Sequence, residues 1–404
     1  MIHRLVTWFA LSAVAWAQIT PEQEKPLFSK VDEMFAQVSQ ILGMKVNRRV
    51  PRAIITREKI RQYIEQRVAE ALTPEEIRAQ EIVLKKLGFL PQDFDLKSQM
   101  IDILTEQAAA FYDFKQKKLF LASWTPSAMQ DMALVHELAH ALADQHFNLE
   151  KYIAKSGDDD DAATARGAVV EGQASWVMTE FMARQMGQSL KSSPQLVQST
   201  VGASADAVQQ FPVLGKSPLY MQQTLIFPYT GGLLFQQAVF QKQGTAGFGE
   251  VFRRPPVSSQ QILHPDRYFS RAAPTKPALP AAQMPSGYKK TMEGTLGELD
   301  FQILLQQYLG EPVARETAPR WKGSRYALWE SAKEKRALLL FATEWETPEI
   351  AAKFCQHYRQ ICAKKWKQLR VVENQPQQVN GAGDDGRFQW TVRGPVFSAV
   401  EGLP

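Results

Sequence analysis

His136 and His140 stand four residues apart in the run Ala133-Leu134-Val135-His136-Glu137-Leu138-Ala139-His140. On a helix that spacing stacks two side chains one above the other on a single face. Two imidazoles placed in this way can share one Zn²⁺ at about 2.0–2.1 Å each. Glu137 is turned by about 100° from His136, so it is poorly placed as a third ligand from the same face. It is instead placed to take a proton from water on the open side of the ion. Three of the six histidines in the chain fall within residues 136–146, a clustering that a polar helix stripe explains poorly.

A catalytic zinc keeps three protein ligands and one open position. Glu171, in Val170-Glu171-Gly172-Gln173-Ala174, is the candidate third ligand, a loop and a returning helix beyond His140. Its apolar neighbours argue against an exposed glutamate, and Gly172 would let two helices approach closely. Neutral His136 and His140 with charged Glu171 leave the ion a net positive charge. Water on it would then lose its proton near neutral pH rather than at about 15.7. Glu137 would accept that proton while a peptide carbonyl is attacked, and pass it to the leaving amine.

These residues need elements to hold them. Apolar side chains at 31, 34, 35, 38, 41 and 42 predict a helix over residues 29–44, closed near Gly43. Thr73, Pro74, Glu75 and Glu76 start a second helix, expected to end near Gly88, and a third covers about 96–105. Residues 110–114 and 118–122 flank a Lys/Gln turn and predict a β-hairpin. Thr125-Pro126 opens the long helix that carries both histidines, running to about Gln145. Asp158 to Asp161 lack the ligand spacing of a calcium loop and are expected to form a solvated acidic loop. A helix over about 163–186 carries Glu171. Residues 188–218 read as irregular, and 231–243 as helical again. Residues 270–288 hold four prolines and are the candidate linker or crossover.

Beyond that stretch the pattern changes. Residues 295–309 predict an amphipathic helix. Strands are expected at 325–330, 337–345, 369–373 and 388–393, around a helix at about 348–361. Cys355 and Cys362, the only cysteines, share that helix. Seven residues rise about 10.5 Å, beyond the roughly 7 Å Cα limit of a disulfide, so two unbridged thiols are expected. Trp321, Tyr326 and Trp329 are expected in the core rather than on a binding surface.

The 404 residues, 45% hydrophobic and 22% charged, exclude a disordered chain, a collagen-like fibre and a disulfide-rich mini-protein. The length suggests two or three domains. A net charge of +5 is spread along the chain, and no nucleic-acid partner is expected. A basic start at Met1 to Arg4, an apolar run from Leu5 to about Val14 and Ala15-Trp16-Ala17 read as a cleavable signal over residues 1–17. Export to the periplasm or outside the cell follows. No later segment is apolar for the about 20 residues that a membrane span needs.

With its motifs in place, the chain resembles the gluzincin branch of zincin metallopeptidases, in which a Glu on a following helix completes His-Glu-x-x-His. More specifically, it is similar to a group of exported bacterial zinc metallopeptidases. The shared stretches are Phe111-Tyr112-Asp113, Lys118-Leu119-Phe120-Leu121, the whole run from His136 through Asp144-Gln145-His146-Phe147, and Val170-Glu171-Gly172-Gln173-Ala174. Gln261-Ile262-Leu263-His264-Pro265, Thr295-Leu296-Gly297-Glu298 and Arg325-Tyr326 also fit. Gly172 is usually followed by Asp in that group, and Gln173 departs from it beside a ligand. The resemblance implies an α+β fold: a zincin-like catalytic domain over residues 18–285, then a small α/β region over 286–404 of unassigned role. It implies a peptide or protein substrate lying along a sheet edge before the metal helix, a place the hairpin could fill. It also implies a donor for the tetrahedral oxyanion, commonly Tyr or His, with Tyr229, His264 and Tyr268 as candidates in turn-rich stretches. Asp144 could orient an imidazole or form a salt bridge, and His146 is expected to satisfy the helix end. The combined reading is an exported zinc peptidase with His136, His140 and Glu171 on the metal and Glu137 as base. The alternatives are a non-catalytic zinc-stabilised binding protein and a zinc amidase acting on a cell-wall amide.

Overall fold

The computed structural model describes residues 27–375 and 377–404, so the signal reading of residues 1–17 lies outside the described residues. The chain is mixed α+β. Its first part contains helix α1 (Val31–Leu42), strand β1 (Arg52–Ile55), helices α2 (Arg57–Ala71), α3 (Pro74–Leu87) and α4 (Leu96–Gln107), and strands β2 (Ala110–Asp113) and β3 (Lys118–Ala122). Then come helices α5 (Ser127–Phe147), α6 (Leu149–Ala154), α7 (Asp160–Gln185), α8 (Gln195–Ala207), α9 (Leu219–Gln243), α10 (Gly247–Arg253), α11 (Ser259–Leu263) and α12 (Pro265–Phe269). The last part holds β4 (Lys289–Gly294), α13 (Glu298–Leu309), α14 (Glu311–Thr317), β5 (Trp321–Ser331), β6 (Arg336–Trp345), α15 (Pro348–Lys365), β7 (Arg370–Gln375), β8 (Gln378–Gly383), β9 (Gly386–Arg393) and β10 (Val396–Leu403).

Local signals set several of these boundaries. Thr73 and Glu76 form a reciprocal capping box at α3, Pro74 occupies the first turn, and Gly88 ends the helix with φ 90°. Gly43 closes α1 at φ 64°. Asn148 ends α5 at φ 52° and its side chain caps α6 at Lys151 N. Helix α5 is buried nearly all round through its middle, with Leu134, Val135, Leu138, Ala141 and Leu142 all inaccessible. It packs on α7, and α7 in turn packs on α9, so three long helices form the core of the first part.

A three-stranded sheet, in the order β1-β3-β2, lies beside α5. Strand β1 runs parallel to β3 and β2 antiparallel to it, leaving β2 at the edge next to α5. The second sheet has seven antiparallel strands in the order β4-β5-β6-β10-β9-β8-β7, with α15 packed against β6, β9 and β10. The two parts are stitched together by Tyr326 on Asp160 at 2.8 Å, Tyr308 on the Gly88 carbonyl at 2.8 Å and Lys365 on the Lys86 carbonyl at 2.6 Å. Cys355 and Cys362 are free thiols on α15, the latter fully buried.

Several expectations need correction. The supposed acidic loop is the start of α7. Asp159 caps the helix at Ala162 N, and Asp161 is buried with its carboxylate on Ser259 N, because carboxylates satisfy the free N–H groups of helix starts. Residues 195–207, read as irregular, form α8. Helix α9 begins twelve residues before the expected start at Gly231, and runs through Pro228. The 270–288 stretch is no free linker: Thr275 N–H bonds the Lys322 carbonyl at 2.8 Å, and Leu279, Ala282 and Met284 pack over Leu338 and Leu340. β4, β8 and β10 escaped notice because Gly, Lys and Asn interrupt their alternation, as did β1 and α2 near the start. Trp321 and Tyr326 are core residues, and Trp329 is half-buried in the cluster that holds Leu279, Ala282 and Met284. Among the described residues no helix is long and apolar enough to cross a membrane.

Candidate metal centre

Helix α5 presents His136 and His140 toward α7, where Glu171 meets them. The Nε2 atoms of the two histidines are 3.1 Å apart. Oε2 of Glu171 lies 3.1 Å from the His136 nitrogen and 3.3 Å from that of His140. All three side chains are buried. These contacts are hydrogen-bond distances between imidazole nitrogens and a carboxylate, and the same spacing could hold a cation. A tetrahedral zinc at about 2.0–2.1 Å from each ligand separates the ligands by roughly 3.3–3.4 Å. The triangle is close to that size, and its N, N, O donor set suits zinc. Burial opposes charge on Glu171, but the two imidazoles beside it prevail and hold its carboxyl down at about 2.

Glu137 completes the cluster without joining the triangle, its carboxylate lying within 4.8 Å of both imidazoles. Its Oε2 accepts the Tyr112 N–H at 2.7 Å, while Oε1 is buried with no hydrogen-bond partner. Burial pushes its pKa up to about 8, with Glu171 adding to the rise while His136 and the Tyr112 N–H oppose it. A carboxylate with one oxygen fixed and the other unpartnered is suited to handling a proton.

Tyr229 also reaches the centre. Its ring stacks on His136 with centroids 6.0 Å apart. Burial, the charges of Glu171 and Glu137 and a hydrogen bond to Glu171 push its phenol well above the usual tyrosine range, so it stays a donor. It sits within α9 rather than in a turn. Its position follows from a helix crossing: a Cβ on Gly172 would lie 2.2 Å from the Gly232 carbonyl carbon, and one on Gly232 2.2 Å from the Ala168 carbonyl oxygen. Only glycine at both places lets α7 and α9 touch through their backbones. The close approach expected of Gly172 is thus made with α9, not with the histidine helix. Gln236 bonds the Val169 carbonyl across the same seam at 3.0 Å.

His264 and Tyr268 are engaged elsewhere. His264 Nε2 is 2.7 Å from Oε1 of Glu298, and the Tyr268 hydroxyl donates to the Arg254 carbonyl at 2.9 Å. Among the described residues neither contacts the ligand triangle. Asp144 does not orient an imidazole. It accepts the Tyr112 hydroxyl at 3.0 Å, Lys117 at 2.7 Å and Leu149 N–H at 3.1 Å, clamping the hairpin to the end of α5. His146 bonds the Lys45 carbonyl at 2.8 Å. Gln173, beside the ligand, donates to the Phe248 carbonyl at 2.9 Å, so its amide holds α10 in place.

Two contributors were not foreseen, the Tyr112 N–H and Gly232. The second had a signal: Gly231-Gly232 inside a helical segment costs stability and needs a packing reason. In comparisons with known proteins, residues 286–404 match a family described only as a domain of unknown function, DUF8575. No curated protein and no solved structure matches the chain. The family match lies wholly outside the metal centre.

Proposed function

We propose that this chain is an exported zinc-dependent peptidase whose catalytic unit, the small sheet with α5 and α7, is zincin-like. The observation that carries the reading is the triangle of His136 Nε2, His140 Nε2 and Glu171 Oε2, with edges of 3.1–3.3 Å, buried between two helices. Those three residues would hold the ion, and zinc bound there supplies a Lewis acid and a lowered pKa for water.

The remaining work falls to this chain's own groups. Glu137 takes a proton from water at its unpartnered Oε1 and hands it to the departing amine, while the Tyr112 N–H holds Oε2 in place. Tyr229, kept protonated by burial, donates toward the oxygen on which negative charge develops. Strand β2, at the sheet edge beside α5, is buried and gives its outward Tyr112 N–H to Glu137, which ties the carboxylate to the sheet.

A purely structural zinc has no use for a buried carboxylate beside its first ligand, so Glu137 favours catalysis over a binding-only role. The test is incubation of the zinc-loaded protein with a diverse peptide mixture, with and without a chelator, read by mass spectrometry. New cleavage products that disappear with chelator are expected. An unchanged mixture would overturn the reading.

A further inference from the structure

The geometry points to a calcium site at the seam between the two parts of the chain, in a small cavity bounded by Gln80, Asp160, Thr295 and Asp300. It is separate from the centre of His136, His140 and Glu171 and does not depend on the peptidase reading.

The cavity has a volume of about 20 Å³, room for a single ion or water molecule. Helix α3 supplies Gln80, the first turn of α7 supplies Asp160, and α9 supplies Tyr220. From the last part come Thr295 in the loop before α13, Asp300 on α13 and Tyr326 on β5. Among the described residues that line it there is no lysine, arginine or histidine. The hydroxyl protons nearby are already given to carboxylates. Tyr326 donates to Oδ2 of Asp160 at 2.8 Å, Tyr220 donates to Asp300, and Thr295 donates to Asp159 at 2.7 Å. A Cβ on Gly294 would lie 2.5 Å from both Oδ2 of Asp160 and the Tyr326 hydroxyl, so the end of β4 holds that pair in place. The cavity is thus walled by oxygen acceptors that carry two carboxylate charges. Burial and the Asp160 charge push the Asp300 carboxyl up to about 6, as two acids do in one dry site without a counter-charge.

Gln80 is the independent sign of an occupant. It is only 7% exposed, and among the described residues its side-chain amide makes no hydrogen bond. Burying an amide without a partner is costly, and a cation against its oxygen removes that cost. The donor set selects the ion. Zinc sites draw on nitrogen and sulfur, whereas only oxygen is offered here. Two carboxylates balance a divalent charge. Magnesium demands an octahedron at about 2.0–2.1 Å and keeps several waters, for which this cavity has no room. Calcium takes oxygens at about 2.3–2.6 Å in a flexible arrangement and accepts neutral side-chain oxygens beside carboxylates. Bound there, it would clasp α3 and α7 to the region over residues 286–404.

The test uses the full chain with zinc present in excess, so that the histidine centre cannot take the probe, and calcium chloride. Equilibrium dialysis should find about one Ca²⁺ per chain. At about 10 mM, Ca²⁺ should raise the thermal midpoint by about 3 °C and Mg²⁺ by clearly less. Gln80→Leu and Asp300→Asn should each weaken calcium binding by about tenfold or more. Gln80→Glu adds a third carboxylate and should tighten binding by about tenfold, a gain that a packing role for Gln80 does not give. Absence of bound calcium in the wild type overturns the assignment and leaves the cavity to water. Equal shifts from Ca²⁺ and Mg²⁺, or binding undiminished in Gln80→Leu and Asp300→Asn, also overturn it. If Asp300→Asn does not fold, the two Gln80 variants decide.

Discussion

The backbone N–H of Tyr112 lies 2.7 Å from Oε2 of Glu137. This bond ties the edge strand of the small sheet to the carboxylate on the helix that follows it, and it is paired with a second bond from the Tyr112 hydroxyl to Asp144, two helical turns on. One residue thus fixes the edge strand relative to both carboxylates of the helix that follows it.

Glu137→Gln should therefore keep zinc and lose hydrolysis. The amide can still accept the Tyr112 N–H through its oxygen, so the fold survives. It cannot take a proton, and kcat should drop by about 10²–10⁴-fold. Steady-state kinetics at matched zinc content check this, and a rate within a few fold of wild type would remove Glu137 from the base role.

Tyr229→Phe should lower kcat by about 10²-fold, with KM little changed and zinc retained, because only the donor to developing charge is lost. A proportional rise in KM at unchanged kcat would make Tyr229 a substrate-binding residue instead.

Gly232→Ala should destabilise the protein by about 2–3 kcal/mol, since the added methyl meets backbone of α7 and not a side chain that can rotate away. Urea denaturation measures this. Gly202→Ala, with nothing within 4 Å of its Cβ position, is the matched control and should not destabilise.

The junction between the two parts makes stability depend on pH. Burial and the nearby Asp160 charge raise the Asp300 carboxyl to about 6, against opposition from the Gly297 N–H and the Tyr220 hydroxyl. A raised carboxyl favours the folded state below its unfolded pKa, and that contribution is lost as pH rises through about 6. Between about pH 4 and pH 6.5, wild type should lose roughly 2–3 kcal/mol relative to Asp300→Asn. Denaturation midpoints of both proteins across that range decide the matter, and parallel curves would contradict it.

Much of this was legible in the chain, for identifiable reasons. The helix holding His136 and His140, the hairpin before it and the helix holding Glu171 carry strong local signals: Thr125-Pro126, a Lys/Gln turn between aromatic runs, and a nearly unbroken apolar stretch around the glutamate. What escaped depends on contacts between distant segments. The start of α9 is masked by Pro228, and Tyr229 reaches the centre only because Gly172 and Gly232 meet. Asp161 looks solvated in sequence and is buried by Ser259, 98 residues away. His264 reads as available in sequence, but Glu298, 34 residues away, engages its Nε2. Position four apart on one helix is local information. Which carboxylate, tyrosine or glycine arrives from another helix is not.

The most direct measurement is the zinc content of purified wild type and of Glu171→Ala after dialysis against a weak chelator, by elemental analysis. Wild type should hold about one zinc per chain, and the variant should bind it about 10²-fold more weakly or not at all. No zinc in the wild type, or equal retention by Glu171→Ala, would contradict a centre built from His136, His140 and Glu171.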